Sequence, residues 1–496
     1  VSSATPPPGD APIRLTRAGL AERDGRDVPK APVRIVHLGL GAFARAHQAW
    51  FTGRVDPDNE WGIAAFTGRS ATAADELAPQ DGLFTLVERS ATADRVEIVT
   101  SIVEAYDGAR LDRLVDLLAA PPTALVTLTV TEPGYRLTAD GEPNASDDAV
   151  IADIEALRAV FSDAASDLGG ADSRPGGGPR TVLGRLLLGL EARRRAGAGP
   201  LAVVSCDNIP DNGPFVRSGV LGLAALTSPD AERWIAENVS FVSTSVDRIT
   251  PKTTDADIRT VTELTGWLDA APVVTEPFTD WVLSGAFPAG RPNWEDAGAR
   301  VVDDIEPFER RKLWLLNGSH SLLAYAGTLR GHDTVAAAVA DPVCRAWVNE
   351  LWDEAVRHLP TTGLDLDDYR AALLDRFDNA RIEHRLLQIG AEGVTKLRVR
   401  FAPVARAERT AGRSAAACAR AIGAWIALLR TGRDLPDAES VAVRAALDSP
   451  DETVDRALLE LIDPALAEDA DFLTLVTAAV ADFAAPDEKQ PKETTP

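Results

Sequence analysis

"VRIVHLGLGAFARAHQAW", residues 33–50, decides the reading of the fold. Apolar and β-branched residues crowd 33–38, glycines fall at 39 and 41, and a stretch that reads as a helix follows. A strand, a glycine turn and a helix in that order open a βαβ unit. Working outward, short apolar strands are expected at "WGIAAF" (61–66), "VEIVTSIVEAY" (96–106), "ALVTLTVT" (124–131), "PLAVVSC" (200–206) and "FVSTSV" (241–246). Helix-like stretches such as "ALRAVFSDAASDL" and "TVLGRLLLGLEARRRA" lie between several of them. Such alternation predicts an α/β domain with a mostly parallel sheet covered by helices on both faces. "GGADSRPGGGPR" (169–180) reads as a surface loop of that domain, since the alternation resumes after it. Past "GAFPAGRPNWEDAG" (285–298) the pattern turns almost wholly helical. The expected division is a disordered leader at 1–30, an α/β domain at 31–288, a helical domain at 289–484 and a disordered tail at 485–496.

Size and composition agree with this division. At 496 residues the chain exceeds what one hydrophobic core usually organises, and its 45% hydrophobic and 25% charged content is that of a globular protein. The net charge of −24 would repel a phosphate backbone, which argues against nucleic acid as a partner. Three cysteines, Cys206, Cys344 and Cys418, with no CxxC spacing, argue against a disulfide framework and a zinc site and for a reducing cytoplasm. No apolar run approaches the roughly 18 residues of a spanning helix, and "VSSATPPPGDAPIRL" lacks the basic and apolar regions of a signal peptide.

Within the opening segment, "GLGAFA" (39–44) fits G-x-G-x-x-G/A, with Gly39, Gly41 and Ala44 in the small-residue positions and Phe43 beside them. Gly39 permits the tight turn, Gly41 lets the backbone approach a pyrophosphate, and the helix that follows offers N–H groups to the anion. The reading is a dinucleotide site; the plainer alternative is a turn that uses glycine for geometry alone. NAD sites usually carry an acid about 20 residues beyond the glycines. Here the second strand ends in Thr67, Gly68, Arg69 and Ser70, which include a guanidinium and a hydroxyl but no acid, so both NAD and NADP stay open.

Only six lysines occur in the chain, and one of them, Lys312, stands directly after Arg310 and Arg311 in "PFERRKLWLLNGSHSLLAYAG" (307–327). On an α-helix, with Lys312 at zero, Glu309 falls at about 60°, His320 at about 80° and Asn317 at about 140°, so all four share a face. A lysine can exchange a proton near neutrality when burial lowers its pKa, which arginine cannot do. Lysine, histidine and amide beside a nicotinamide would suit an alcohol/ketone pair; the alternative is a surface charge next to a satisfied helix end. Asn208 in "SCDNIPDNG" and Asp247 in "VDRITPKT" end strands at the carboxyl edge, where open α/β sheets bind ligands.

The ordered series "IVHLGLGAFARAHQAW", "LTVTEPGY", "SCDNIPDNG", "VDRITPKT", "GRPNW" and "KLWLLNGSH" resembles the polyol-specific long-chain dehydrogenases, the mannitol dehydrogenase family, over roughly residues 30 to 400. The resemblance implies a Rossmann-type N-terminal domain, a mainly helical C-terminal domain, a catalytic cleft between them, no metal and often a monomer. It also implies that K-x4-N-x2-H falls on Lys312, Asn317 and His320, with lysine as general acid/base, Asn208 and Asn317 as donors to the developing alkoxide, and His320 positioning the substrate. Asp247 and Glu309 match an aspartate near the reacting end and an acid that helps the proton reach solvent. Departures lie at Ala44, where the family often has His, and at "QIGAEGVTKLRVR" (388–400), which strays from D-G-S-x-K-x-P. "RIEHRLLQI" (381–389) resembles the hexuronate reductases, and its Arg381, His384 and Arg385, with Lys396, are candidates to meet a carboxylate. The expected activity is NAD(P)-dependent interconversion of a sugar alcohol and its ketose, of the mannitol/fructose type, or of fructuronate and mannonate. A dinucleotide-binding regulator without catalysis is the alternative of another class.

Overall fold

The computed structural model describes residues 12–162, 168–171, 177–433 and 435–484. The expected tail at 485–496, the first eleven residues of the leader and part of the loop at 169–180 lie outside them. Two compact units result, with the boundary between Ile305 and Glu306. No helix among the described residues is long and apolar enough to cross a membrane.

The first unit is built on an eight-stranded sheet. Its six parallel strands are β2 (Val33–Leu38), β3 (Gly62–Phe66), β6 (Ile102–Tyr106), β7 (Leu125–Leu128), β8 (Leu201–Ser205) and β9 (Val239–Asp247), beside each other in the order β6-β3-β2-β7-β8-β9. Numbered along the chain, that is 3-2-1-4-5-6, the doubly wound order whose switch point lies between the first and fourth strands. The sheet continues through β12 (Asp280–Ser284), antiparallel to β9, and β13 (Arg300–Val301). Side chains alternate between faces along every central strand. Val36, Leu38, Ala64, Phe66, Val126, Leu128, Leu201 and Val203 face one core with Leu114, Leu157, Leu187 and Val220. Ile35, Ile63, Ala65, Leu125, Ala202 and Val204 face the other, with Phe51, Trp281 and Trp294.

Three expectations are corrected here. The stretch 96–106 is two strands: β5 (Asp94–Val99) pairs antiparallel with β4 (Phe84–Arg89) in a separate sheet completed by β11 (Val273–Thr275), and only β6 joins the main sheet. The leader is ordered from residue 12, because β1 (Ile13–Arg14) pairs with β10 (Trp267–Leu268) and a helix, Arg17–Asp24, carries the fully buried Leu20. Arg17 secures it by donating to the carbonyls of Val28, Pro29 and Thr100 at 2.8–3.1 Å. Finally, 289–305 belongs to the first unit rather than the helical one. β13 pairs with β12, and Trp294, fully buried, packs its ring 4.5 Å from that of Trp281.

The second unit is helical, as expected. Among its described residues an isolated bridge between Thr334 and Arg385 is the sole extended pairing. The longest helices, Pro342–Val356, Ala416–Arg430 and Ala470–Ala484, carry much of its core, including Trp352 and Trp425.

Candidate active site

The glycine turn occupies the switch point. Gly39 has φ +111°, and a Cβ there would lie 2.1 Å from the Thr129 carbonyl oxygen, so the protein itself demands glycine. Gly41 differs. Its φ of −143° suits any residue, and a Cβ would meet only the Gly39 oxygen, at 3.6 Å. Among the described residues nothing else comes within 4 Å of that position, and an open approach of this kind is what Rossmann dinucleotide turns use glycine for. Ala44 is buried, and Phe43, half-buried, stacks on His47 with ring centroids 5.0 Å apart.

Buried polar groups hold this turn. The Thr129 hydroxyl donates to the Gly39 carbonyl (2.8 Å) and accepts from His37 Nε2 (3.2 Å), while the other His37 nitrogen accepts from Thr127 (2.8 Å). That arrangement uses the neutral imidazole, and burial pushes the His37 pKa down to about 4. The helix after the turn is not regular: Arg45–Ala49 forms a π-turn. Arg45 reaches back to the Gly41 carbonyl (3.2 Å), and Arg248, beside Asp247, donates to the Ala46 carbonyl (2.6 Å) and to Glu88 (2.7 Å).

Asn208 is exposed just beyond β8, and Asp247 is the buried last residue of β9, so both stand at the carboxyl edge. A feature missed in the sequence holds Asp207, the residue before Asn208. Tyr135 donates its hydroxyl to the buried Asp207, and the Asn212 amide binds the Asp207 carbonyl (3.1 Å) and the Thr244 carbonyl (2.8 Å). Burial raises the Asp207 pKa to about 6. The tyrosine of "TEPGY" and the aspartate of "CDN" were the available signal. If this pair positions Asn208, Tyr135→Phe lowers kcat about tenfold or more, while Asp207→Asn, which retains an acceptor for Tyr135, loses much less. Equal kcat in Tyr135→Phe and the parent chain would remove the pair from the site.

In the second unit, the lysine helix departs from the periodicity used to read it. Glu306–Arg311 is α-helical, Lys312–Asn317 is a π-turn, and Gly318–Leu322 returns to α before a further π-turn at Leu323–Gly327. The Gly318 amide bonds the Leu313 carbonyl, five residues back. A π-turn bonds five residues back and so winds less per residue than an α-turn. It brings Asn317 closer to Lys312 around the axis than the roughly 140° of a regular α-helix, with His320 following one α-turn later. Asn317-Gly318 does not break the helix; widening of the turn before it aligns the motif. The displaced Leu315 carbonyl is satisfied by the Ser319 hydroxyl (2.6 Å) and the Trp352 indole (2.9 Å). Lys312 and His320 are each 8% exposed. Glu309 lies one α-turn before Lys312, in the preceding helix, and is half-buried.

Around His320 the structure gathers cations. Its ring lies 4.8 Å from that of His384 and 5.1 Å from Phe377. Burial, then His384, Arg376, Arg400 and Lys396, hold its pKa well below the ordinary value, so the imidazole is neutral. His384 is aimed by its own backbone, whose carbonyl accepts from Val335 (3.0 Å). Lys396 and Arg400 sit one turn apart on the helix Gly393–Arg400. Gly393 lets that helix close on Trp425, since a Cβ there would lie 2.2 Å from the indole nitrogen. Lys396 donates to the Ile389 carbonyl (2.8 Å), and Arg400 to the Asn317 carbonyl (2.9 Å) and the Ser321 hydroxyl (2.8 Å). Burial and Arg400 lower the Lys396 pKa to about 8, and burial lowers that of Arg400 to about 10. Arg381 and Arg385 are exposed, Arg385 pairing with Glu383 at 3.0 Å; neither ranks among the largest influences on His320. Arg376 and Arg400 were missed, although the four-residue spacing of Arg400 from Lys396 placed both on one helix face.

One cluster elsewhere has metal-ligand chemistry, His332, Asp341 and Cys344. Its Asp341 carboxylate already accepts from Arg330 (2.6 Å) and from the Val343 amide (2.9 Å), so the group reads as an ion-paired helix cap.

A glycine turn at the switch point of a doubly wound sheet, with a Gly41 whose own φ does not demand glycine, is the arrangement of a dinucleotide-binding domain. Comparison with known proteins narrows the class. Residues 33–296 match the mannitol dehydrogenase Rossmann domain and residues 304–491 the mannitol dehydrogenase C-terminal domain. The chain belongs to the mannitol dehydrogenase family. It is 34% identical to the D-mannonate oxidoreductase of Escherichia coli (strain K12), covering 92% of this chain and 94% of that one. It is 36% identical to the mannitol 2-dehydrogenase of Aspergillus terreus, over 76% and 77% of the two chains. The solved ternary complex of Pseudomonas fluorescens mannitol 2-dehydrogenase with NAD and D-mannitol superposes with a TM-score of 0.75 at 31% identity, covering 95% of this chain and 97% of that one.

Proposed function

We propose that the chain is an NAD(P)-dependent dehydrogenase that interconverts a secondary alcohol and a ketone in an open-chain six-carbon sugar derivative, with Lys312 as the acid/base. The observation that supports this is the π-turn at Lys312–Asn317, which brings Lys312, Asn317 and His320 closer together on one face of the helix than a regular α-helix would. When bound, the nicotinamide accepts or supplies the hydride. The residues present fit such a cofactor: Gly41 leaves the cradle open, and Gly39, Phe43 and Ala44 shape the turn around it. Asn317 and Asn208 donate to the carbonyl oxygen as charge develops on it. Lys312 delivers the proton in reduction and takes it in oxidation. His320, neutral, holds a substrate hydroxyl, Asp247 borders the reacting end, and Glu309 passes the proton toward solvent. The three cysteines are free and buried, which supports work in a reducing compartment such as the cytoplasm.

Within this reading the mannitol/fructose pair suits the family at large. A second pair, fructuronate/mannonate, is supported by one observation: His384, Arg376, Arg400 and Lys396 all act on His320. A hexuronate carboxylate would meet cationic donors there. The experiment is the initial rate of NADH and NADPH oxidation with fructose and with fructuronate, followed from pH 6 to 10. If the cluster binds a carboxylate, fructuronate turns over faster, and its KM rises as pH passes about 8, where Lys396 loses its proton. The KM of neutral fructose shows no matching step. Fast turnover of fructose alone would make the cluster structural.

A further inference from the structure

We propose that Arg400 is a positioning residue for the Asn317 amide: it grips the peptide group that follows Asn317, and so sets the direction of that side chain and holds the π-turn open. This rests on the reading of Lys312 and Asn317 as the reacting pair. The peptide unit between Asn317 and Gly318 is held at both ends. Its N–H, that of Gly318, bonds the Leu313 carbonyl five residues back. Its oxygen, that of Asn317, accepts from Arg400 Nη1 at 2.9 Å. A peptide unit is planar, so fixing both ends fixes the torsion about the Asn317 Cα–C bond and the direction in which the side chain leaves the backbone. The same nitrogen donates to the fully buried Ser321 hydroxyl at 2.8 Å, so one guanidinium spans the end of the π-turn and the α-helical turn after it. Without that grip the Gly318 amide can fall back to the Trp314 carbonyl, its partner in a regular α-helix, and Asn317 then swings away from Lys312 around the axis.

Arg400 reaches the turn from a fixed support. Leu397 in its helix and Phe401 directly after it are fully buried. The start of that helix is tied to residues 436–438. The Glu392 amide donates to the Pro436 carbonyl (2.7 Å), the Val394 amide to the Asp437 carboxylate (3.1 Å), and the Ala438 amide to the Glu392 carboxylate (2.9 Å). The charge itself is the second observation. Many arginines of this unit meet acids, among them Arg345, Arg357, Arg406 and Arg409. Arg400 does not: among the described residues no carboxylate counters the burial that lowers its pKa, and its Nε is buried without an acceptor. The chain has 75 acids to 51 bases, so acids are not scarce. A cation withdrawn from water without an acid costs free energy that an apolar side chain of similar volume would avoid. What the cation supplies in return is a charge-assisted hydrogen bond to the Asn317 carbonyl, roughly twice as strong as a neutral one.

The test uses the full chain and a double-mutant cycle over Arg400→Met and Asn317→Ala, read as kcat and KM for fructose and for fructuronate at saturating cofactor. Arg400→Met should lower kcat by about tenfold to a hundredfold, the cost of a small misplacement at a reacting centre, with KM little changed. Millimolar methylguanidinium should restore part of that kcat. In the Asn317→Ala chain, adding Arg400→Met should cost less than about threefold, because the group that Arg400 positions is already gone. Calorimetric unfolding of each variant checks the fold. Where Arg400→Met does not fold, Arg400→Lys, which keeps the charge but loses the planar fork, takes its place in the cycle. Losses that multiply in the double variant, or parent-level kcat in Arg400→Met, overturn the proposal and leave the reading of Lys312 and Asn317 intact. A change confined to the KM of fructuronate overturns it too, since Arg400 would then be a substrate contact. Parent-level kcat in Asn317→Ala would sink the reading of the amide and the proposal with it.

Discussion

Lys312→Ala is expected to lower kcat at least a hundredfold, within the range of about 10²–10⁴ that a general acid/base contributes, with the cofactor dissociation constant changed little. The argument is positional. Lys312 is buried at the start of a π-turn that draws it toward the helix face of Asn317 and His320. Arginine, which the chain uses at the two preceding positions, keeps its proton at every relevant pH and cannot exchange one with a substrate hydroxyl. Lys312→Arg is therefore expected to be nearly as impaired as the alanine variant. Small primary amines added to Lys312→Ala should restore part of the rate by occupying the vacated volume. Turnover within a factor of three of the parent chain in Lys312→Ala would take the lysine out of the mechanism.

The second large effect separates two glycines only two residues apart. Gly39→Ala places a Cβ 2.1 Å from the Thr129 carbonyl at φ +111°, so the turn, and with it the pairing of β2 with β7, has to shift. We expect a loss of about 3 kcal/mol or more in the stability of the first unit, the sum of a strained φ and a backbone clash. Gly41→Ala meets nothing closer than 3.6 Å and keeps an extended φ, so its thermal unfolding should match the parent chain. Its cofactor affinity should still fall at least tenfold, because the methyl group occupies the pyrophosphate cradle. Differential scanning calorimetry and cofactor titration of the two variants check this. A Gly41→Ala chain that binds NADH and NADPH normally would show that the cradle serves the turn and no ligand.

Much of this architecture was legible because period and punctuation agree. Residues 33–38 alternate between two cores, the glycines stop the strand, and the same grammar recurs through β9. What escaped reading has specific physical causes. β5 and β6 are separated by two residues with no glycine or proline between them, so nothing in the sequence marks the change of sheet. The ordering of residues 12–30 depends on a partner strand more than 250 positions away, which local pattern cannot show. In the candidate site, residue types in the Lys312 helix were readable but their alignment was not, because a 3.6-residue period carries no signal for bonding five residues back. Arg376 and Tyr135 join their partners through tertiary packing alone, from elements distant in sequence.

The π-turn at Lys312–Asn317 makes the site a matter of counting. The five-residue interval between the lysine and the amide is measured by backbone bonding, with Leu313, Trp314, Leu315 and Leu316 as spacers whose identities answer only to packing. Those four positions are free to drift among apolar residues, whereas a single insertion or deletion among them rotates the lysine away from the amide by about 100°. A regular α-helix would bond its backbone better and set the lysine and amide farther apart, so this stretch should tolerate a change of letter better than a change of length.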